Sequence, residues 1–246
     1  MQADQPRRFA PLGAAKNGDA GAELPRLKGV VFDVDGTLCE PQNYMFGEMR
    51  AALGIDKSTD ILDHIYELPS EEQDPAFEKI RAIERRAMAS QKPQGGLVEL
   101  MDYLDDRGVP KGICTRNFDT PVTHLLTRFL TGHHFHPIVT RDFRPPKPDP
   151  AGILHIAETW GLTGSDVIMV GDSLDDMTAG HRAGAATVLL VNEHNAHLAT
   201  HEHTDLCVRR LDELIGVLEN GFVGQIGQGD EEPDTRAQAE EALKRP

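Results

Sequence analysis

Two apolar runs, each cut off by acids and glycine, constrain this chain most. They are the core of "LKGVVFDVDG" (27–36) and of "DVIMVGDS" (166–173). Neither alternates polar with apolar residues, so neither suits a strand with one face in water. Short, continuous, β-branched runs of this kind belong to strands covered on both faces, as in a parallel sheet. The chain around them alternates further short strands with amphipathic stretches. The strands expected are "PKGICTRN" (110–117), "HPIVTR" (136–141), "ATVLLV" (186–191) and "DLCV" (205–208). Helices are expected at 95–108, 120–130, 149–161 and 176–185, the last built of small residues that let it lie close on a sheet. Strands alternating with helices imply parallel pairing through right-handed crossovers. The fold class expected is α/β, a doubly wound parallel sheet.

Residues 43–90 break that rhythm. They contain no strand signal and offer helices at about 43–53, 58–67 and 73–90. Ser58 and Thr59 are candidate caps for the second helix, and Pro75 suits the start of the third. This segment is read as a small all-helical cap inserted after the first strand of a core made of 26–42 and 91–223. The ends, 1–25 and 224–246, have too little apolar content to pack and are expected to be a disordered arm and tail.

Composition narrows the partners. Among 246 residues the formal net charge is −15, which repels nucleic acid and anionic membranes. No apolar run approaches the roughly 18 residues of a membrane helix. Three cysteines without a CxxC pair fit a reducing compartment. The cytoplasm is the expected location. A mitochondrial transit role for the N-terminal arm is the lesser alternative, weakened by Asp4, Asp19 and Glu23. A monomer or weak homodimer is expected.

Ligands of such a sheet sit beyond the carboxyl ends of the strands. The first strand leaves Asp33 and Asp35 there, followed by Gly36 and Thr37. Side chains two apart on a strand face the same side, so both carboxylates can address one spot. A later strand leaves Thr115, Arg116 and Asn117, and another leaves Asp172, Asp175 and Asp176, while Lys147 lies between prolines in "RPPKPDP". Converging carboxylates need a cation or raised pKa values. An all-oxygen set favours a hard ion such as Mg²⁺. That ion on the acidic side and Lys147 opposite would seat a phosphate group in an otherwise acidic protein.

"DVDGT" (33–37), Thr115, Lys147 and "GDSLDD" (171–176) together resemble the four ordered motifs of the haloacid-dehalogenase-like hydrolases, over about residues 27–215. The resemblance implies a Mg²⁺-dependent hydrolase of a small phosphorylated metabolite. It implies Asp33 as nucleophile, forming an aspartyl-phosphate, and Asp35 as general acid and base. It implies Mg²⁺ held by Asp33, the backbone carbonyl of Asp35, and Asp172. Asp176, or less fittingly Asp175, would support the metal through water or as an acceptor behind it. Thr115 would bind a phosphoryl oxygen, helped by the backbone N–H groups of Arg116 and Asn117, and Lys147 would neutralise charge. Asp35 favours phosphoryl transfer over carbon–halogen chemistry, whose members lack this second acid. The alternatives are a phosphomutase and a non-catalytic protein that binds a phosphorylated ligand.

Other features are weaker. The Arg116 side chain suits substrate or a sheet-edge carboxylate equally. "HHFH" (133–136) reads as a polar loop. His194, His197 and His201 would share one face if their segment were helical. Tyr44, Arg50, His64 and Tyr66 are the cap residues with reach toward a substrate, although each reads first as cap surface.

Overall fold

The structure, a computed structural model, describes residues 8–9, 27–42 and 44–223. Its centre is a six-stranded sheet formed by β2 (Gly29–Phe32), β3 (Lys111–Cys114), β4 (Ile138–Val139), β5 (Val167–Gly171), β6 (Ala186–Leu190) and β7 (Leu206–Val208). Every pairing in it is parallel, and the order is β4-β3-β2-β5-β6-β7. The fold is therefore α/β and doubly wound. β2 and β5 are wholly buried, as their unbroken apolar runs require. Successive residues of β2 serve opposite faces: Val30 and Phe32 enter one core and Val31 the other. The first core takes in Leu97, Leu100, Met101 and Leu104 of α4 (Leu97–Asp106) and Val122 and Leu125 of α5 (Asp119–Phe129). The second takes in Ile153 and Ile156 of α6 (Ala151–Thr159) and Ala179 and Ala183 of α7 (Leu174–Ala183). The helix α8 (Glu213–Asn220) closes the first face through Leu214 and Leu218.

Three helices separate β2 from α4: α1 (Tyr44–Leu53), α2 (Ile61–Glu67) and α3 (Ser70–Met88). They share an apolar cluster that includes Met45, Met49, Ile65, Phe77 and Ile80. Phe118, just before α5, inserts into that same cluster and so joins the helical layer to the sheet domain.

Several elements differ from expectation. The cap of α2 is Asp60, which accepts from Leu62 N (2.8 Å) and Asp63 N (3.0 Å). Ser58 and Thr59 are instead bound to Asp56 Oδ1 in a turn before the helix. α3 begins at Ser70, so Pro75 lies inside it rather than at its start. Glu71 and Glu72 occupy the added first turn, where carboxylates favour the positive end of the helix dipole. The expected strand at 136–141 shortens to Ile138–Val139, on the sheet edge. Ala196–Thr200 form a 3₁₀ turn, which gives His194, His197 and His201 no common α-helical face. Within the N-terminal stretch expected to lack structure, β1 (Arg8–Phe9) pairs antiparallel with β8 (Phe222–Val223), satisfying backbone groups of both segments. The rest of the arm and the tail 224–246 lie outside the described residues. Among the described residues no helix is long and apolar enough to cross a membrane.

Candidate active site

The strand order reverses direction between β2 and β5, and their carboxyl ends carry Asp33 and Asp172. Register fixes both: Phe32 lies opposite Val170, and Asp33 N donates to Val170 O at 3.0 Å. Asp33, Asp172 and Asp176 bring carboxylate oxygens within 4.8 Å of one another. Lys147 reaches this group from its loop, with Nζ 2.8 Å from Asp33 Oδ1 and 2.5 Å from Asp176 Oδ1. Asp33, Asp176 and Lys147 are buried, so these charges meet at low local dielectric.

The loop after β2 turns at Gly36, whose φ of +79° suits glycine. A Cβ there would lie 2.0 Å from Asp172 Oδ2, so glycine is also what lets Asp172 approach. Asp35 points to the same end. Asn117 Nδ2 donates to its Oδ2 at 2.8 Å, and Cys39 Sγ lies 3.6 Å from its Oδ1. Thr115 is buried at the end of β3 and its Oγ1 accepts from Asn117 N at 3.2 Å. The Asn117 N–H therefore already has a partner, whereas the side chain of Asn117 has a use that the sequence did not suggest. Asp176 Oδ2 accepts from Ser173 N and Ser173 Oγ, closing a capping box at the start of α7.

Carboxylates outnumber cations here, and the proton affinities register it. Burial raises the Asp33 carboxyl to about 7, opposed by Lys147. Burial, then the neighbouring Asp176, Asp33 and Asp35, push Asp172 up to about 8. Burial also raises Asp35. Lys147 is shifted upward by Asp176 and Asp33 despite burial and stays charged. A buried, all-oxygen, anion-excess set with one ammonium suits a hard divalent cation. Asp33, Asp172 and Asp176 are the side chains that could hold it, and Asp176 rather than Asp175 is the member of that group.

Asp175 and Arg116 do something else. Arg116 Nη1 donates to Asp175 at 2.7 Å and Nη2 to Asp60 at 2.6 Å, so its guanidinium ties the core helix α7 to the cap of α2. Of the two roles open to Arg116, the carboxylate one is occupied. A second, buried tie joins Arg141 Nη2 to Glu84 Oε1 of α3 at 2.6 Å, with Arg141 also stacked 3.4 Å above the Phe118 ring. Together these elements enclose a cavity of about 300 Å³ between the helical layer and the strand ends. Arg50 lines it, whereas Tyr44, His64 and Tyr66 do not. Tyr66 packs instead against Phe77 and under Arg144.

Asn192 and Asn195 complete the support of Asp172. Asn192 Nδ2 donates to Asp172 Oδ2 at 3.1 Å, and Asn195 Nδ2 to the Asp172 carbonyl at 2.7 Å. Neither was expected, although Asn192 stands just past the strand "ATVLLV" and is a residue that this strand leaves at its end. The histidines stay apart from the site. His133 pairs with Asp105 at 2.6 Å, and His201 packs against His203, which stacks on His181. Among the described residues the only metal-competent cluster found is Asp33, Asp172 and Asp176.

The family profile described as haloacid dehalogenase-like hydrolase matches residues 45–184. The chain is 47% identical over 203 residues to an uncharacterised hydrolase of Saccharomyces cerevisiae, an alignment covering 80% of this chain and 93% of that protein. It is 28% identical over 181 residues to the phosphoglycolate phosphatase of Agrobacterium fabrum, covering 64% of this chain and 78% of that protein. A haloacid dehalogenase-like hydrolase from Entamoeba histolytica shares the fold with a TM-score of 0.66 at 21% identity, covering 79% of this chain and 100% of that one. With the paired acids of the first strand, the buried lysine and the acidic turn after β5 in place, the chain belongs to the haloacid dehalogenase-like hydrolase family, as a member of its phosphatase type.

Proposed function

We propose that this protein hydrolyses a small phosphomonoester with Mg²⁺ as cofactor and Asp33 as the attacking carboxylate. One observation carries the reading: Asp33 and Asp35 face the same cavity, the first held by Lys147 and the second by Asn117. When bound, Mg²⁺ supplies the positive charge that the acidic cluster lacks and draws charge from a phosphoryl group.

The residues divide the remaining work. A carboxylate oxygen of Asp33 attacks phosphorus. The bond from phosphorus to Asp33 forms as the ester bond breaks, replacing one difficult displacement with two easier ones. Protonated Asp35 gives its proton to the departing oxygen. Burial raises its pKa, which favours the protonated form that this step uses. Asp35, now ionised, takes a proton from water, whose oxygen attacks phosphorus and frees Asp33 and inorganic phosphate. Lys147 holds Asp33 in position and offsets charge on the phosphoryl group, and Thr115 donates to a phosphoryl oxygen. The helical layer covers the site, and Arg116 helps to hold it against the core.

The test is phosphate release from p-nitrophenyl phosphate with and without Mg²⁺. Turnover that needs the metal is expected. Equal turnover in a chelator, or none on a broad panel of phosphomonoesters, would remove the reading.

A further inference from the structure

Arg50 Nε, Glu84 Oε2 and Arg141 Nη1 are buried polar atoms without a hydrogen-bond partner, and all three residues line the same cavity. Buried polar atoms are rarely left unpaired, because each costs its lost hydration. Unpaired groups gathered at a cavity wall point to a ligand. Glu84 and Arg141 are the stronger pair, each with a side chain only 4% exposed. They are already joined through Glu84 Oε1 and Arg141 Nη2 at 2.6 Å. What remains is one acceptor, Glu84 Oε2, and one donor, Arg141 Nη1, on adjoining groups.

From this pairing we infer that Glu84 and Arg141 set the substrate specificity of the site by binding a hydroxyl group of the substrate. The inference rests on the phosphatase reading above and narrows its substrate class to hydroxyl-bearing phosphomonoesters, such as phosphorylated polyols and sugars. A hydroxyl both donates and accepts, so one group satisfies both orphaned atoms. Of this pair, a carboxylate or second phosphate satisfies only Arg141. It would also confront the second oxygen of Glu84 after the charge of Arg141 has been matched. An alkyl group satisfies neither atom. The cavity, at about 300 Å³, lies at the small end of ligand sites and fits a short polyol or sugar phosphate. Glu84 comes from α3, and Arg141, stacked on Phe118 where the two layers meet, donates its Nε to the Arg116 carbonyl at 2.9 Å, next to Thr115.

The experiment is steady-state kinetics on matched pairs that differ by a hydroxyl: 3-hydroxypropyl phosphate against propyl phosphate, and ribose 5-phosphate against 2-deoxyribose 5-phosphate. Phosphoglycolate serves as the carboxylate arm and p-nitrophenyl phosphate as the general reporter. In at least one pair, kcat/KM should favour the hydroxyl-bearing member by about tenfold or more, the least that a hydrogen bond to a charged group contributes. In Glu84→Gln an amide N–H replaces the free acceptor, and that ratio should fall toward one, whatever the absolute rates. A purely structural tie between the layers would lower both members alike and keep the ratio. An unchanged ratio in Glu84→Gln, no preference in any pair, or a tenfold preference for phosphoglycolate would overturn the inference while leaving a phosphatase. A wild-type protein inert toward p-nitrophenyl phosphate as well would overturn the phosphatase reading itself.

Discussion

The side-chain amide nitrogen of Asn117 lies 2.8 Å from Asp35 Oδ2, so the proposed general acid is steered by a residue on the neighbouring strand's loop. That bond favours the ionised carboxyl and lowers its pKa, whereas burial raises it by more. Asn117→Ala removes the lowering contribution only. The limbs of the pH–kcat profile that Asp35 governs should therefore move to higher pH, with reduced turnover because the acid is less well aimed. A full pH–rate profile of both proteins checks this. A profile of unchanged position would mean that Asn117 does not tune Asp35.

Asp33→Asn should abolish the covalent intermediate, since an amide cannot take the phosphoryl group. Mass spectrometry of acid-quenched protein should find the phosphorylated species in the wild type alone. Asp35→Asn keeps the shape of the side chain and loses the proton transfer, and turnover should fall by roughly 10² to 10⁴, the usual worth of positioned acid–base catalysis. Near wild-type turnover in either variant would rule out the role assigned to it.

The two apolar runs made the sheet legible, because only a strand covered on both faces tolerates unbroken apolar sequence. They made Asp33 and Asp172 legible as well, since strand ends are where such sheets bind ligands. Asp176 was separable from Asp175 only in three dimensions. Adjacent residues on a helix point about 100° apart, and which one faces Asp33 depends on how α7 sits on the sheet. Asp60, Glu84, Arg116 and Arg141 were opaque for a related reason. Their partners lie 56 to 59 residues away across two layers, and no local pattern encodes such a pairing. Ser58 and Thr59 misled because Asp56 could bind both before the helix began. The histidine spacing misled because it presumed a helix that the 3₁₀ turn replaces.

Stability should depend on pH in a direction set by the buried acids. Asp172 is raised to about 8 and Glu84 to about 7, both by burial first. A carboxyl raised in the folded state holds a proton that the unfolded chain has released. Its contribution is complete below the ordinary carboxylate range and is lost as pH rises through 7 to 8. Asp60 and Asp166 are shifted downward and act in the opposite sense, but only as pH falls below the ordinary carboxylate range. In chelator, Tm should therefore decline from about pH 5.5 to pH 8.5. Mg²⁺ competes with those protons, so the Tm gain on adding it should be larger at the higher pH. Thermal melts at both values, with and without the ion, check this. A gain of equal size at both, or none, would remove the cation from the cluster.

Gly36 offers the sharpest separation of backbone from site. Its φ is +79° and a Cβ would fall 2.0 Å from Asp172 Oδ2. Gly54 has a similar φ of +71° with nothing within 4 Å of its Cβ position. Alanine at either position bears the strain of a left-handed backbone, about 1–3 kcal/mol. Only at Gly36 must Asp172 also move, against the hydrogen bonds from Asn192 and Asn195 that hold it. Gly36→Ala should thus be the more destabilising of the two in urea titrations. It alone should raise the Mg²⁺ concentration needed for half-maximal phosphate release, because the displaced carboxylate is one of the three that converge there. If Gly54→Ala changed the Mg²⁺ requirement equally, the effect would belong to general loosening of the fold. If Gly36→Ala left it unchanged, the close approach of the turn to Asp172 would have no part in holding the ion.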